Sequence, residues 1–463
     1  MIFDFAHSKQ GKRNMKLNKI SLAAASLGLT LAIAHVGIAG AADSTAADAK
    51  TQKLEQQIDS LAQQLNALKA ELNQVKAQNQ TIVAQQTEIA AKASAPSPLQ
   101  NLSLWGYGEA YYSRPIHDDS KSQADLARAV FGIGYRFDEK TTFNSEFEVE
   151  HAVASSEDVG EMEVEQFYVD HQISNSIAVK AGLFLIPSGL LNLKHEPTNF
   201  YGVQRNFVET FIIPATWREG GIGAHGDTDV GIDWDVGVTT GVNLAGRDAT
   251  AGLRANTALD LGNSGAGPLA ATHQELSLAN ASNLSQYLAV GYKGIPGLNV
   301  GASIFTGKAA TQDPMVSLGG QRVTLWEAHS RWTPAKFDLS ALYARGTISN
   351  TGAYNALTPG APNPTPSAFD GWYVQGAYNL WQNTTYRLAP FMRWEYYNMG
   401  ASFSGIAPGF EPPQAGDRSL SDHVFTTGLN FYVTPNVVLK ADYQTFSINE
   451  DLSRFELGLG VAF

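Results

Sequence analysis

Cysteine is absent from this chain of 463 residues, and charged residues make up only 16% of it. The missing thiols exclude a disulfide scaffold, a thiolate metal site, a thiol nucleophile and a lipidated N-terminal cysteine. Beyond Ala42 no run of about 18 consecutive apolar residues occurs, so the sequence predicts no membrane-spanning helix there. A hydrophobic content of 44% is ordinary for a folded protein, but the low charge together with 10% aromatic residues indicates apolar surface that faces a partner or a membrane. A closed barrel of strands is the remaining architecture that spans lipid.

The N-terminal segment has the composition of an export signal. Five basic residues precede an uncharged, mostly apolar stretch: Lys9, Lys12, Arg13, Lys16 and Lys19. That stretch ends in Ala39-Gly40-Ala41, a small-residue cleavage pattern, which predicts a signal peptide at 1–41 and a short linker at 42–50. A membrane anchor is the alternative, but the polar residues that follow favour cleavage. Met1 and Met15 are both acceptable starts, because the segment after Met15 already contains a complete signal.

Residues 51–92 carry a seam of mostly apolar side chains at alternating spacings of four and three. The seam consists of Leu54, Ile58, Leu61, Leu65, Leu68, Leu72, Val75, Asn79, Ile82, Gln86 and Ile89. This spacing predicts a coiled coil, in which Glu71 and Lys76 would pair across a parallel homo-oligomer. The seam does not choose between two and three strands, and a solitary amphipathic helix on its own barrel is the alternative. Residues 93–99, rich in proline and serine, are predicted to be a linker.

From residue 100 onward apolar residues recur at every second position. In the last segment the apolar set is Phe455, Leu457, Leu459, Val461 and Phe463, and the alternating set is Arg454, Glu456, Gly458, Gly460 and Ala462. A period of two predicts strands with one apolar face.

The connections between these strands fall into two classes. Seven short turns are predicted at 138–140, 174–176, 227–229, 294–297, 334–336, 382–385 and 435–436. Eight longer loops are predicted at 114–125, 151–162, 188–217, 243–283, 308–321, 350–370, 399–420 and 447–453. Alternation of the two classes gives sixteen strands with the short turns on one rim, as in transmembrane barrels. The sequence therefore predicts an all-β fold, a 16-stranded antiparallel transmembrane β-barrel at 100–463, preceded by an N-terminal α-helical coiled coil.

Three segments carry a resemblance to a known family. They are Ala181-Gly182-Leu183-Phe184-Leu185-Ile186-Pro187-Ser188-Gly189, Asn199-Phe200-Tyr201-Gly202-Val203 and Trp217-Arg218-Glu219-Gly220. Together with the strand pattern and the terminal Phe463, they resemble the phosphate-selective porins of Gram-negative outer membranes. The resemblance implies a trimer of barrels in outer-membrane lipid, each with its third long loop folded into the pore. It implies no enzyme activity.

The third long loop, residues 188–217, is accordingly expected to form the constriction. The charged residues predicted to line it are Lys194, His195, Glu196, Arg205, Glu209, Arg218 and Glu219. Those predicted on the pore wall are Arg128, Arg136, Glu146, Glu148, Glu150, Arg331, Arg393 and Lys440. The three glutamates are expected on one wall, with the basic residues as a strip opposite. For each loop residue, a salt bridge that pins the loop to the wall is as good an interpretation as contact with a solute.

Net charge leaves the ion selectivity open. The first 99 residues hold 10 of the 32 basic and 7 of the 44 acidic residues, which leaves a net charge of −15 on the barrel segment. Outward loops can hold much of that acid, so local charges decide selectivity.

Motifs typical of enzymes are weak in this sequence. Residues 221–226 match G-x-G-x-x-G, but they lie in a predicted strand with no helix after it. His195-Glu196 lacks the second histidine of a zinc-binding helix, so no metal site and no cofactor are predicted. The favoured function is a water-filled channel for passive diffusion of small hydrophilic solutes or ions. The alternative is a structural protein that tethers the outer membrane to the cell wall through a periplasmic coiled coil.

Overall fold

The computed structural model describes residues 44–94, 98–155, 160–247, 249, 267–269, 272–309, 320–414 and 417–463. The chain divides into two compact units, with the boundary between Ala95 and Pro96. The predicted signal peptide at 1–41 lies outside the described residues.

The first unit contains one long helix, α1, from Ser44 to Ser94. It begins inside the segment predicted as a linker at 42–50, which is a correction; alanines in that segment favour helix. The apolar seam is exposed in the single chain: Leu54, Leu61 and Leu68 are 53%, 62% and 62% accessible. Among the described residues, no helix combines the length and the apolar character needed to cross a membrane.

The second unit is a sheet of sixteen antiparallel strands. They are β1 Leu102–Pro115, β2 Gln123–Arg136, β3 Thr141–Glu150, β4 Met162–Ser174, β5 Ile177–Leu185, β6 Arg218–Asp227, β7 Ile232–Thr240, β8 Leu284–Tyr292, β9 Leu298–Lys308, β10 Arg322–Trp332, β11 Phe337–Ile348, β12 Ala368–Tyr378, β13 Arg387–Ser402, β14 Ser421–Thr434, β15 Val437–Phe446 and β16 Arg454–Ala462. A two-residue piece, Trp381–Gln382, prolongs β12 and pairs with β13. Short helical turns lie at Pro98–Asn101, Asp119–Lys121, Val208–Ile212, Leu244–Gly246, Thr351–Asn355 and Glu450–Leu452.

Each strand pairs with the next, and the last pairs with the first, so the sheet closes into a barrel. Tyr107 of β1 lies opposite Ala462 of β16, and Pro115 lies opposite Arg454. Seven short turns and eight longer connections alternate as the sequence predicts, but strands extend into the ends of several predicted loops; for instance, β1 reaches Pro115, β12 begins at Ala368 and β13 reaches Ser402. The predicted strand number and connectivity are confirmed.

The outer face of the barrel is apolar, and the inner face is polar. On β16, Leu457 and Leu459 are 44% and 42% exposed, whereas Arg454 and Glu456 are fully buried. This inverts the pattern of a water-soluble protein and matches a wall whose outside contacts lipid.

The hydrophobic core lies inside the barrel, where the connection between β5 and β6 folds inward. This connection, residues 186–217, is called loop 3 below. The ring centroids of Trp217 and Phe305 are 4.5 Å apart, and those of Phe207 and Phe446 are 5.2 Å apart. Phe305 lies on β9 and Phe446 on β15, so loop 3 packs against strands that are far apart on the wall.

Candidate functional site

The base of loop 3 is closed by one amide side chain. Asn192 Nδ2 donates to the carbonyl oxygens of Ile186 and Trp217, both at 2.8 Å. Its Oδ1 accepts from the backbone N–H of Trp217 at 2.7 Å. The two ends of the loop are therefore held together by a residue that sequence reasoning did not single out.

Glu209 organises the middle of loop 3. Its carboxylate accepts hydrogen bonds from the backbone N–H groups of Leu190 and Leu191 at 2.6 and 2.8 Å. It also accepts from Asn206 Nδ2 at 2.8 Å and from the hydroxyl of Tyr373 on β12 at 2.9 Å. Because Glu209 is buried with all these donors, it shapes the loop and does not present a charge to the lumen.

Arg205 has a similar structural position. Its guanidinium donates to Thr216 Oγ1 at 2.8 Å and to the carbonyl oxygen of His195 at 3.2 Å. Both partners belong to loop 3. The predicted constriction residue Arg205 therefore braces the loop from within.

The wall of β13 holds the tip of loop 3. Arg393 donates through Nη1 to the carbonyl oxygen of Tyr201 at 3.2 Å, and Glu395 accepts from the N–H of Phe207 at 2.6 Å. Both side chains are buried. Arg393, predicted to line the pore, is thus an anchor for the loop.

Strands β14 and β15 continue this anchorage. Asn430 bonds to the backbone of Phe200 and Gly202 at 3.2 and 3.3 Å. Asp442 accepts from the N–H of Val203 at 2.5 Å. The partners lie more than 200 positions apart in the sequence, which is why no local pattern revealed them.

Two glycines on the inner face of β16 provide a flat seat for the loop. A Cβ atom built on Gly460 would lie 2.7 Å from Pro197 Cβ, and one on Gly458 would lie 3.0 Å from Val203 Cγ1. The first distance is shorter than real Cβ atoms show, and the second is tighter than most of their contacts. The alternation of glycine on this strand therefore permits the close approach of loop 3.

The predicted arrangement of an acidic wall opposite a basic strip is wrong for Arg128. The Arg128 guanidinium lies 2.9, 3.4 and 3.8 Å from carboxylate oxygens of Glu109, Glu148 and Glu150. Because β2 and β3 are neighbours in one hairpin, Arg128 and Glu150 are directly paired. The charges neutralise one another on a single wall.

Arg218 and Glu219 lie where β6 leaves loop 3, and both are buried. Arg218 Nη2 lies 2.5 Å from Glu163 and 2.9 Å from Glu275, and Glu219 accepts from Thr240 Oγ1 at 2.5 Å. Burial by itself would raise the pKa of the Glu275 carboxyl, but the adjacent His273 and Arg218 hold that pKa below its ordinary value. These residues attach the loop between β7 and β8 to the barrel.

The remaining predicted residues differ in their exposure to solvent. Lys194 is exposed on loop 3, and Glu196 is half-buried and accepts from Asn199 Nδ2 at 2.6 Å. Arg136 is exposed at the rim of short turns. Arg331 forms a two-point ion pair with Asp338 at 2.9 and 2.6 Å.

Lys440 lies against an aromatic ring. Its Nζ is 3.6 Å from the ring centroid of Phe200, and it has no hydrogen-bond partner among the described residues. The side chain is 5% exposed.

A cluster of titratable side chains lies beside the base of loop 3. It comprises Glu146 on β3, Glu165 on β4 and His195 on loop 3, all buried. Glu165 is the extra residue of a β-bulge: Glu146 pairs with Gln166 and Phe147 with Val164. A bulge re-aims a side chain relative to strict alternation. Glu165 was missed from sequence, although it continues the alternating acidic row of Glu161 and Glu163.

An apolar outer wall, a polar interior and a loop folded into the lumen define a transmembrane pore-forming barrel. A family model described as "Phosphate-selective porin O and P" matches residues 105–447. A relative described as an uncharacterized protein of Aquifex aeolicus strain VF5 is 32% identical over 353 residues, covering 74% of this chain and 75% of that protein. The chain belongs to this porin family, which places it in the outer membrane.

A solved structure supports the fold. The structure of Salmonella typhi OmpF in complex with daunomycin matches with a TM-score of 0.52 at 13% identity, covering 78% of this chain and 97% of that chain. The outer-membrane channel DcaP of Acinetobacter baumannii gives a lower TM-score of 0.43, at 12% identity over 78% of this chain and 97% of that chain.

Proposed function

We propose that this protein is an outer-membrane channel for passive diffusion of small hydrophilic solutes, with residues 188–217 as its constriction. The observation that carries the proposal is the anchorage of loop 3 inside the barrel by side chains of β12 to β15. A polar lumen narrowed by an anchored loop selects solutes by size and charge, and it requires no covalent chemistry.

Permeation through reconstituted vesicles tests this function. Proteoliposomes should swell in small uncharged sugars and lose permeability as sugar size increases. Removal of residues 198–205 from loop 3 should raise the single-channel conductance. Removal of residues 404–411, from the loop between β13 and β14, is the control and should leave the conductance unchanged. Vesicles that stay impermeable to the smallest sugar would overturn the channel. An unchanged conductance in the loop 3 deletion would overturn the constriction.

The matching family is described as phosphate-selective, so phosphate is the solute class that we propose for this channel. Two cationic side chains support an anion path. Lys194 is exposed on loop 3, and Arg247 lines a pocket among the long loops. The other arginine at that pocket, Arg418, is paired with Asp451 at 2.5 Å. Arg247 Nε has no hydrogen-bond partner among the described residues. Part of the acid on the wall of β1 to β4 is paired, since Arg128 lies against Glu109, Glu148 and Glu150 and Arg218 lies against Glu163. Local charge therefore counts for more than the net charge.

Phosphate block of chloride current tests the solute class. Inorganic phosphate at low concentration should reduce the chloride conductance of the wild-type channel. Lys194→Gln combined with Arg247→Gln should weaken that block, and Lys121→Gln, at an exposed surface pair with Asp118, should leave it unchanged. If phosphate does not change the chloride current, the phosphate assignment is overturned. The protein would then be a porin without selectivity for phosphate.

We further propose that identical chains associate into an oligomer and that helix α1 takes part in this association. The exposed seam of α1 supports a parallel coiled coil of identical chains over residues 51–92, and the family supports a trimer. The barrel begins at Leu102 on the rim of short turns, which is the periplasmic rim in outer-membrane barrels. We therefore assign the helix to the periplasm, where contact with the cell wall is its second candidate role.

Deletion separates the two roles. A chain that lacks residues 51–92 should keep its single-channel conductance if the helix serves only assembly or tethering. Co-sedimentation with purified peptidoglycan should be lost with the helix if it tethers. A full-length chain that fails to sediment with peptidoglycan would overturn the tether and leave the channel untouched.

A further inference from the structure

Three buried side chains converge between loop 3 and the wall. Glu146, Glu165 and His195 each offer one ligand atom, and these atoms lie within 4.8 Å of one another. Their exposed fractions are 8%, 0% and 4%. Carboxylate oxygens and an imidazole nitrogen are donor types found in three-ligand metal sites.

Neither Glu146 nor Glu165 forms an ion pair with lysine or arginine in the part of the chain that the structure describes. Glu165 shares a side-chain hydrogen bond with the carboxyl group of Glu148, so a cation bound there would replace the proton that these two groups share. The nearby Arg128 is shared among Glu109, Glu148 and Glu150. A buried carboxylate without a counter-charge is costly. One divalent cation would compensate both groups at once.

The tautomer of His195 leaves one ring nitrogen available to a metal. His195 Nδ1 lies 2.9 Å from the carbonyl oxygen of Asn192. A carbonyl oxygen only accepts, so Nδ1 carries the proton and Nε2 keeps the lone pair that a metal requires. Metal-binding histidines usually donate their second ring N–H to such an acceptor. Asn192 is itself fixed by its three hydrogen bonds at the loop base.

The glutamates have orienting partners as well. Trp105 Nε1 donates to Glu146 Oε1 at 2.6 Å, and Gln166 donates to the other oxygen. The hydroxyl of Tyr107 donates to Glu165 Oε2 at 3.2 Å. Each carboxylate oxygen has two lone pairs, so these bonds leave acceptor capacity for a cation.

We infer that Glu146, Glu165 and His195 bind a divalent first-row transition-metal ion that ties loop 3 to the barrel wall. The imidazole favours zinc, iron, nickel or copper over magnesium and calcium, which prefer all-oxygen sites. Water would complete the coordination shell. Bound there, the ion joins β3 and β4 to a loop whose hydrogen-bond anchors described above lie on β12 to β15.

Zinc binding to the full-length protein, freed of metal by chelation, tests the inference. Calorimetry in detergent should show one high-affinity zinc ion per chain. Glu165→Gln and His195→Gln should each weaken that affinity by at least about tenfold. Glu150→Gln, on the same strand as Glu146, and His225→Asn, in a separate pair with Asp170, are matched controls that should bind as the wild type does. Unchanged affinity in His195→Gln would overturn the site.

X-ray absorption of the zinc-loaded wild type needs no variant and covers the case in which a variant fails to fold. One imidazole nitrogen with the remaining ligands oxygen is the expected shell. An all-oxygen shell, or two or more imidazoles, would overturn the assignment. Equal displacement of zinc by magnesium or calcium would overturn the ion class. Since binding is measured without transport, these outcomes are independent of the proposed channel function.

Discussion

Arg393 and Glu395, two positions apart on β13, form a buried ion pair with Nε and Oε1 2.8 Å apart, and each also holds a different part of loop 3. Arg393 bonds to Tyr201, and Glu395 bonds to Phe207. The pair therefore joins the barrel wall and the constriction in one network.

We expect Glu395→Ala to release the loop. The substitution removes the acceptor of the Phe207 N–H and leaves the Arg393 charge buried without its partner. Breaking a buried pair in this way costs about 3–5 kcal/mol. Single-channel recordings should show larger and noisier currents. Asp119→Ala is the control, because Asp119 and its partner Arg114 are 74% and 55% exposed, and it should change neither stability nor current. If the Glu395→Ala channel shows the same current and the same noise as the wild type, the anchoring role of Glu395 is contradicted.

The lipid-facing register of β16 predicts the effect of charge on its outer face. Leu457→Arg should destabilise the folded barrel by about 2–4 kcal/mol if the side chain lies near mid-membrane. Leu457→Met keeps the face apolar and should behave nearly as the wild type. Urea titration of the protein in lipid vesicles measures both. Similar midpoints for the two variants would place Leu457 away from lipid.

Lys194 and Arg205 should respond differently to charge reversal. Lys194→Glu changes an exposed charge, so it should shift the reversal potential toward cation selectivity while the barrel stays intact. That shift should shrink at high salt, because the Debye length falls from about 10 Å at 0.1 M to about 3 Å at 1 M. Arg205→Gln removes internal braces of loop 3, so its main effect should be on stability. A salt-independent shift in Lys194→Glu would point to a change of loop structure.

Disruption of the α1 seam should affect assembly and leave the pore unchanged. Leu61→Asp with Leu68→Asp places charges at two core positions of the proposed coiled coil. We expect the oligomer to dissociate at a lower temperature on unheated gels, with wild-type conductance in the channels that remain. Gln63→Asp with Ala70→Asp is the matched control, since it adds the same charges at the same spacing but away from the seam. Equal oligomer stability in both double variants would contradict the coiled coil.

The sheet could be predicted from the sequence because most strand positions follow a period of two and the turns are rich in residues that favour turns. Leu457 and Glu456 show this directly, since alternation alone assigned them to opposite faces. The site was less readable. The sequence predicted charges such as Glu209 and Arg205 on loop 3, but not that their partners are backbone groups and neutral side chains. Glu165 continues the alternating acidic row of Glu161 and Glu163, but its partners Glu146 and His195 come from other elements, and the partner of Asp442 lies 239 positions earlier.

The close packing of loop 3 on β16 gives the last strand two structural tasks. Gly458 and Gly460 belong to the strand that closes the barrel against β1, and the loop that packs on them lies in the first half of the chain. A larger side chain at either position would therefore act on the width of the channel as well as on the closure of the wall.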